Sequence, residues 1–234
     1  MQQLLDTITG SDFFGIVLCV IAYEIGMLVH VKSKRLALLN PMLIAIAITI
    51  AVLAFTGTEY ATFSKSANLL TVLLTPTCVA FAVPLYRQLD TLKKNAPVII
   101  AGILVGSIAS CTSVFLMCRL FGLSKELCFA LLPKSVTTPI AAGIAGELGG
   151  MTSVTILAVI FTGILGAAFV PPLCRILHLT DRVAIGLGTG TSSHALGTST
   201  ALTMGEVEGA MSSLSIVVAG ILTVVIAPIF AMFY

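Results

Sequence analysis

The sequence predicts an all-α polytopic membrane protein, with about six spanning helices plus two re-entrant or broken-helix hairpins in an inverted-repeat, transporter-like architecture. Three observations predict it. Of 234 residues, 58% are hydrophobic and 9% charged, whereas a soluble domain carries about 25% charged residues. Apolar runs recur along the whole chain with short connectors between them. Three of these runs hold Pro, Gly, Ser and Thr near their centres, where they free backbone groups that lipid cannot satisfy.

About 20 apolar residues span a hydrocarbon core about 30 Å thick, and eight segments approach that length. Phe13–Val31 is the first, with Glu24 at mid-segment in "CVIAYEIGML", and Pro41–Thr56 is the second. Ser66–Tyr86 contains "LLTPTCVAFAVPLY" and should break at Pro76 and Pro84; Pro97–Met117 is uninterrupted. Glu126–Leu148 contains "LLPKSVTTPIA", with Pro133 and Pro139 around Lys134; Thr152–Cys174 follows it. Val183–Met204 is crowded with Gly, Ser and Thr, and Met211–Phe233 completes the set. Short connectors imply one domain, residues 1–234. The acidic first residues, with Asp6 and Asp12 but no Lys or Arg, lack the basic region of a secretory signal peptide and read as mature sequence.

A repeat runs through the second half. "KSVTTPIAAGIAGELGG" and "SHALGTSTALTMGEVEG" each lead from a polar break through small residues to Gly-Glu, a turn and a long apolar helix ending in Pro. Glu147 then falls on Glu206, Gly163 on Gly220 and Pro171 on Pro228, with a slip of two residues. If basic connectors stay cytoplasmic, Lys32, Lys34, Arg35, Arg87, Lys93 and Lys94 lie inside, and the N-terminus and Glu59–Lys65 outside. Eight crossings would put Arg175 and Arg182 outside. Making Glu126–Leu148 and Val183–Met204 re-entrant returns both arginines to the cytoplasm and inverts the two repeats, a plan common among secondary transporters. Helical runs from Glu126 to Lys134 and from Val183 to His194 rise about 12 and 16 Å, so both tips should reach the midplane from opposite sides.

A lysine at that depth costs about 2.5–3.5 kcal/mol on insertion scales and normally faces a protein interior or watery cavity. Lys134, the hydroxyls of Ser135, Thr137 and Thr138, and the positive end of a half-helix starting near Pro139 together suit a small anion such as a carboxylate. The alternative is a structural ion pair of Lys134 with Glu147 or Glu24. The second tip offers Ser192, Ser193, His194, Thr198 and Ser199, with Gly190 and Gly197 letting backbone approach a ligand. His194 has two readings, a proton carrier or a hydrogen bond across a helix contact. Thr77 beside Pro76 is either a wall of the site or the patch on a proline kink. Glu206 and Glu208 read as a solvated turn.

The cysteines Cys19, Cys78, Cys111, Cys118, Cys128 and Cys174 sit in apolar surroundings without ligand spacing, so they read as small buried hydrophobes, and no metal site is expected. With net charge +2 and no basic stripe, nucleic acid is not an expected partner. No phosphate loop, nucleophile elbow or H-E-x-x-H occurs, and no enzyme activity or cofactor is expected beyond coupling to protons or sodium ions.

"LNPML", "TPTCVAFAVPLYRQ", "PKSVTTPIA", "FTGILGA" and "SSHALGTSTAL" resemble, in order, the signature blocks of the LrgB/CidB family of bacterial membrane proteins. The likeness covers nearly the whole chain and is most specific in the lysine block; Thr75 stands where a Gly is expected. The resemblance implies a multi-pass protein of the bacterial inner (plasma) membrane and a possible LrgA/CidA-type membrane partner. It offers two functions: holin- or antiholin-like control of murein hydrolase export and autolysis, or movement of small monocarboxylates of the pyruvate, glycolate or glycerate class, since a related domain occurs in the plastidial glycolate/glycerate transporter. The midplane lysine selects transport. The expected binding residues are Lys134, Ser135, Thr137, Thr138, Ser193, His194, Gly197, Thr198 and Thr77, and small-residue helices such as "FTGILGA" suggest a homodimer, although they suit packing within one chain equally well.

Overall fold

A computed structural model describes residues 9–33, 41–73, 76, 79–80, 82–87 and 89–234. The described residues are helical: α1 Phe14–Lys32, α2 Pro41–Thr56, α3 Tyr60–Val72, α4 Ala82–Arg87, α5 Leu89–Leu120, α6 Lys125–Leu131, α7 Thr138–Leu148, α8 Thr152–Ile176, α9 Arg182–Met204 and α10 Glu206–Ala231. Four of them are long and apolar enough to cross a membrane, namely α1, the Lys93–Leu120 portion of α5, α8 and α10; α2 is shorter but equally apolar. The chain divides into two compact units, Met1–Ala80 and Phe81–Tyr234.

In the first unit, glycines set the contacts of α1. A Cβ on Gly15 would lie 2.6 Å from Ala67 N, and the Gly15 amide donates to Ser66 Oγ at 2.9 Å, so α3 crosses there at backbone distance. Gly26 meets the Pro41 carbonyl in the same way at the start of α2. The expected segment Ser66–Tyr86 is corrected: α3 begins at Tyr60, with Glu59 as its N-cap, and is capped at Leu73. The residues read as an outer connector therefore form helix instead. Thr75, Thr77 and Cys78 lie outside the described residues.

In the second unit, α5 and α10 run parallel. Ile99 and Ile103, early in α5, cluster with Ala210, Met211 and Ala219, whereas Cys111, Val114 and Cys118, later in α5, cluster with Ile226, Ala227 and Phe230. Their late ends are pinned together: Arg119 lies over the rings of Phe115 and Tyr234, 5.5 and 5.1 Å from their centroids, and the Tyr234 hydroxyl donates to the Leu123 carbonyl. Both helices start earlier than their apolar runs, with polar first turns that carry Asp90 in α5 and Glu206 and Glu208 in α10.

Two hairpins enter this unit from opposite ends. After α6 the chain leaves helical geometry around Pro133–Val136, forms α7, and turns at Gly149, whose φ of 81° suits glycine. It then passes Gly150 against Ala130, where a Cβ would lie 2.7 Å from the Ala130 amide nitrogen. Residues twenty positions apart touch, so the chain has folded back. At the other end α9 reverses at His194, where φ is 43° and ψ is −139°. Before that point contacts advance along α10, Gly186 lying against Glu208 and Met211 and Gly190 against Ser212 and Ser215. After it they retreat, Thr198 bonding Ser212 at 2.7 Å and Leu202 lying against Gly209. The first arm is parallel to α10, the second antiparallel. An ion pair between Arg182 Nε and Glu208 Oε1 at 3.8 Å closes the base of the hairpin; a straight helix would hold Arg182 about 33 Å from Met204.

Candidate functional site

The two hairpin tips meet at α8. Val159 packs its side chain with Val136 and Ala141 of the first hairpin, and its carbonyl accepts a 2.9 Å hydrogen bond from His194 Nε2 of the second. One turn on, a Cβ at Gly163 would lie 2.5 Å from His194 Cε1, and a Cβ at Gly166 would overlap Ser193 Oγ. The "FTGILGA" glycines, read as a possible dimer face, therefore receive the tip of the chain's own second hairpin. Through Val159 the two breaks meet on one stretch of α8.

In the first tip Lys134 is half-buried, and its Nζ donates to Ser135 Oγ at 3.1 Å. Ser135 is 8% exposed and is joined at 2.9 Å to Ser110 Oγ of α5. Thr137 is the N-cap of α7, Thr138 its first residue, and no side chain caps the helix, which leaves the positive end of α7 available to an anion. The ion pairs among the described residues are Arg87–Glu206 and Arg182–Glu208; Lys134 belongs to neither. The alternative reading, a structural ion pair of Lys134 with Glu147, is not what forms.

The second tip uses its polar groups internally. Thr198, fully buried, donates to the His194 carbonyl at 3.0 Å, so in the 2.7 Å bond Ser212 donates to Thr198. Ser193 is joined to Ser192 at 3.0 Å. Gly197 packs against Ser193 Cβ and the Thr189 carbonyl, where a Cβ would stand 2.6 and 3.0 Å away. These bonds hold the reversal together, and the His194 contact matches the reading of a bond across a helix contact.

Eight of the nine expected site residues thus lie on the two tips, and Thr77 falls outside the described residues. Sequence reasoning missed α5. Ser110 and Cys111 face the first tip, with Ser110 Oγ joined to Ser135 and Cys111 Sγ 3.8 Å from the Leu132 carbonyl, and Gly106 receives Thr191 of the second, whose Cγ2 would be 2.9 Å from a Cβ there. The signal was the small polar run "GSIASCTS" inside an apolar helix. Glu208 corrects the solvated-turn reading, since it is 7% exposed; its neighbour Glu206 is exposed as expected.

The sequence matches the LrgB-like family over residues 19–233. It is 37% identical over 222 residues to the antiholin-like protein LrgB of Bacillus subtilis (strain 168), covering 95% of this chain and 96% of that protein. It is 36% identical over 225 residues to the protein of the same name in Bacillus cereus (strain B4264), covering 96% and 98%. No solved structure matches.

Proposed function

The chain belongs to the LrgB-like family of membrane proteins, and on that premise we propose that it carries small monocarboxylates across the bacterial plasma membrane. The observation that carries this reading is Lys134, half-buried at the break of the first hairpin, with a serine hydroxyl as hydrogen-bond partner and no part in an ion pair of the described residues. An ammonium so placed is costly unless a counter-charge or water meets it. A carboxylate of the pyruvate, glycolate or glycerate class supplies the missing charge, and the first-turn amides of α7 add hydrogen-bond donors.

In this reading six helices cross the bilayer and the hairpins enter from opposite faces as parts of an inverted repeat, the plan of many secondary transporters. Arg87, Lys93, Lys94, Arg175 and Arg182 share one end of the second unit and so mark it as cytoplasmic. Ser135, Thr137, Thr138, Ser193, His194, Gly197 and Thr198 shape the site, Thr77 is a proposed wall, and protons or sodium ions drive uptake. Partners are the lipid bilayer, a second copy of the chain and an LrgA/CidA-type protein.

The relatives are named as antiholin-like, and this favours a second reading, a holin- or antiholin-like regulator of murein hydrolase export and autolysis, the other function that the family resemblance implies. Purified protein in liposomes separates the two. Saturable uptake of labelled pyruvate or glycolate without leakage of a trapped dye is the expected result, and dye leakage without saturable uptake would overturn it.

A further inference from the structure

At one end of the second unit two arginines have carboxylate partners, Arg87 with Glu206 at 3.7 Å and Arg182 with Glu208 at 3.8 Å. Two lysines of α5 at the same end do not. Lys93 and Lys94 are exposed and enter no ion pair among the described residues, not even with Asp90, one turn before them on the same helix. They stand where the apolar span of α5 begins, since that span runs from Lys93 to Leu120.

Directly beyond them α5 carries a hollow. Pro97, Val98, Ala101, Gly102 and Val105 line an open cavity of about 530 Å³, and Val98 and Val105 are 70% and 65% exposed. Residues three and four apart share a helix face, so Lys94, Val98, Ala101 and Val105 form one row, and Lys93, Pro97 and Ala101 form a second that converges on it. The floor is low because Ala101 and Gly102 project little beyond the backbone between the two valines. From Pro97 to Val105 the helix rises about 12 Å, most of the roughly 15 Å of hydrocarbon in one leaflet. Two ammonium groups at the mouth of an apolar trough of that length match a lipid with a negative headgroup.

We propose that this end of α5 binds an anionic phospholipid, whose phosphate sits between Lys93 and Lys94 and whose acyl chain lies in the hollow between Val98 and Val105. The lipid supplies the counter-charge that the described residues do not. A zwitterionic lipid offers the same chains, but its own cation opposes the lysines. The site does not depend on what the hairpins carry, because none of its residues belongs to them.

Native mass spectrometry of the full chain, in detergent holding phosphatidylglycerol or phosphatidylcholine with identical acyl chains, counts the lipid retained. Wild-type protein should retain phosphatidylglycerol about tenfold better or more. Each basic residue near a charged lipid surface contributes about fivefold in affinity, so Lys93→Gln with Lys94→Gln should lower that retention by about tenfold or more. Ala101→Phe fills the hollow, leaves both charges and should displace the lipid as well. The substituted residues are exposed, so melting temperatures in lipid-free detergent should be unchanged, while the rise that phosphatidylglycerol gives wild type should be lost in both variants. Equal retention of the two lipids by wild type overturns the site. Loss confined to the lysine variant also overturns it, since the hollow then plays no part. Dimers of lipid-free wild type that Ala101→Phe dissociates would assign the hollow to a second copy of the chain and overturn it too.

Discussion

Removing the charge of Lys134 while keeping its stem separates binding from folding. At about 4 Å from a carboxylate, with an effective dielectric constant near 20, the ammonium contributes about 4 kcal/mol before desolvation, so a net loss of about 1–2 kcal/mol, or tenfold or more in affinity, is expected for Lys134→Met. The variant should be at least as stable as wild type, because no carboxylate partner is stranded. A lowered melting temperature that Glu147→Gln or Glu24→Gln restores would return Lys134 to a structural role. Gly166 tests the meeting of hairpin and α8 in the same currency. Its missing Cβ is replaced by Ser193 Oγ, so Gly166→Ala should cost about 1–3 kcal/mol by overpacking, and Ser193→Gly in the same chain should recover part of it; melting temperatures in detergent decide. Lys134 and His194 were legible in the sequence because a cation or an imidazole in an apolar run is conspicuous. Ser110 was not, since serines usually vanish into helices by bonding the preceding turn, and only the fold joins this one to Ser135.

Among the elements, α9 shows how far pattern reading reaches. Gly, Ser and Thr crowding announced a broken helix, and the helical reach of a half-core placed the break at His194, where the backbone does reverse. The base of the hairpin stayed hidden, because Glu208 lies in a Gly-Glu-rich stretch that reads as a turn and is instead buried against the first arm by its pair with Arg182. The fold-back predicts a cross-link. In a chain cleared of native cysteines, Arg182→Cys with Glu208→Cys should be joined efficiently by a short bifunctional maleimide, seen by mass spectrometry of the linked peptides. Absence of that link, with Arg182→Cys joined instead to the far end of α10, would mean α9 is straight. The helix α3 resisted the apolar-run method most, since Tyr60–Val72 carries Ser, Lys and Asn and its helical start lies in sequence that looks like a connector.

For the molecule as a whole, the polarity of the second unit follows from contacts and its orientation from charge. A single cysteine at Gly149 should react with an impermeant thiol reagent from outside the cell and one at Asp181 only from inside; the reverse pattern would defeat the orientation. The all-helical class and the four long apolar helices were legible because twenty-residue hydrophobicity is a strong signal, whereas the meeting of the tips depends on glycine contacts that only three dimensions display. The hairpin at α9 also sets an order of biogenesis. Both of its arms lie against α10, which the ribosome makes afterwards, and its Gly, Ser and Thr content gives it little tendency to enter lipid alone. On the proposed re-entrant topology it should wait at the membrane surface until α10 has been inserted, then close against it as a late assembly step. A chain ending at Gly205 should therefore leave Thr189→Cys open to an impermeant reagent in inside-out vesicles, while the full chain, in which Thr189 is 2% exposed, should protect it.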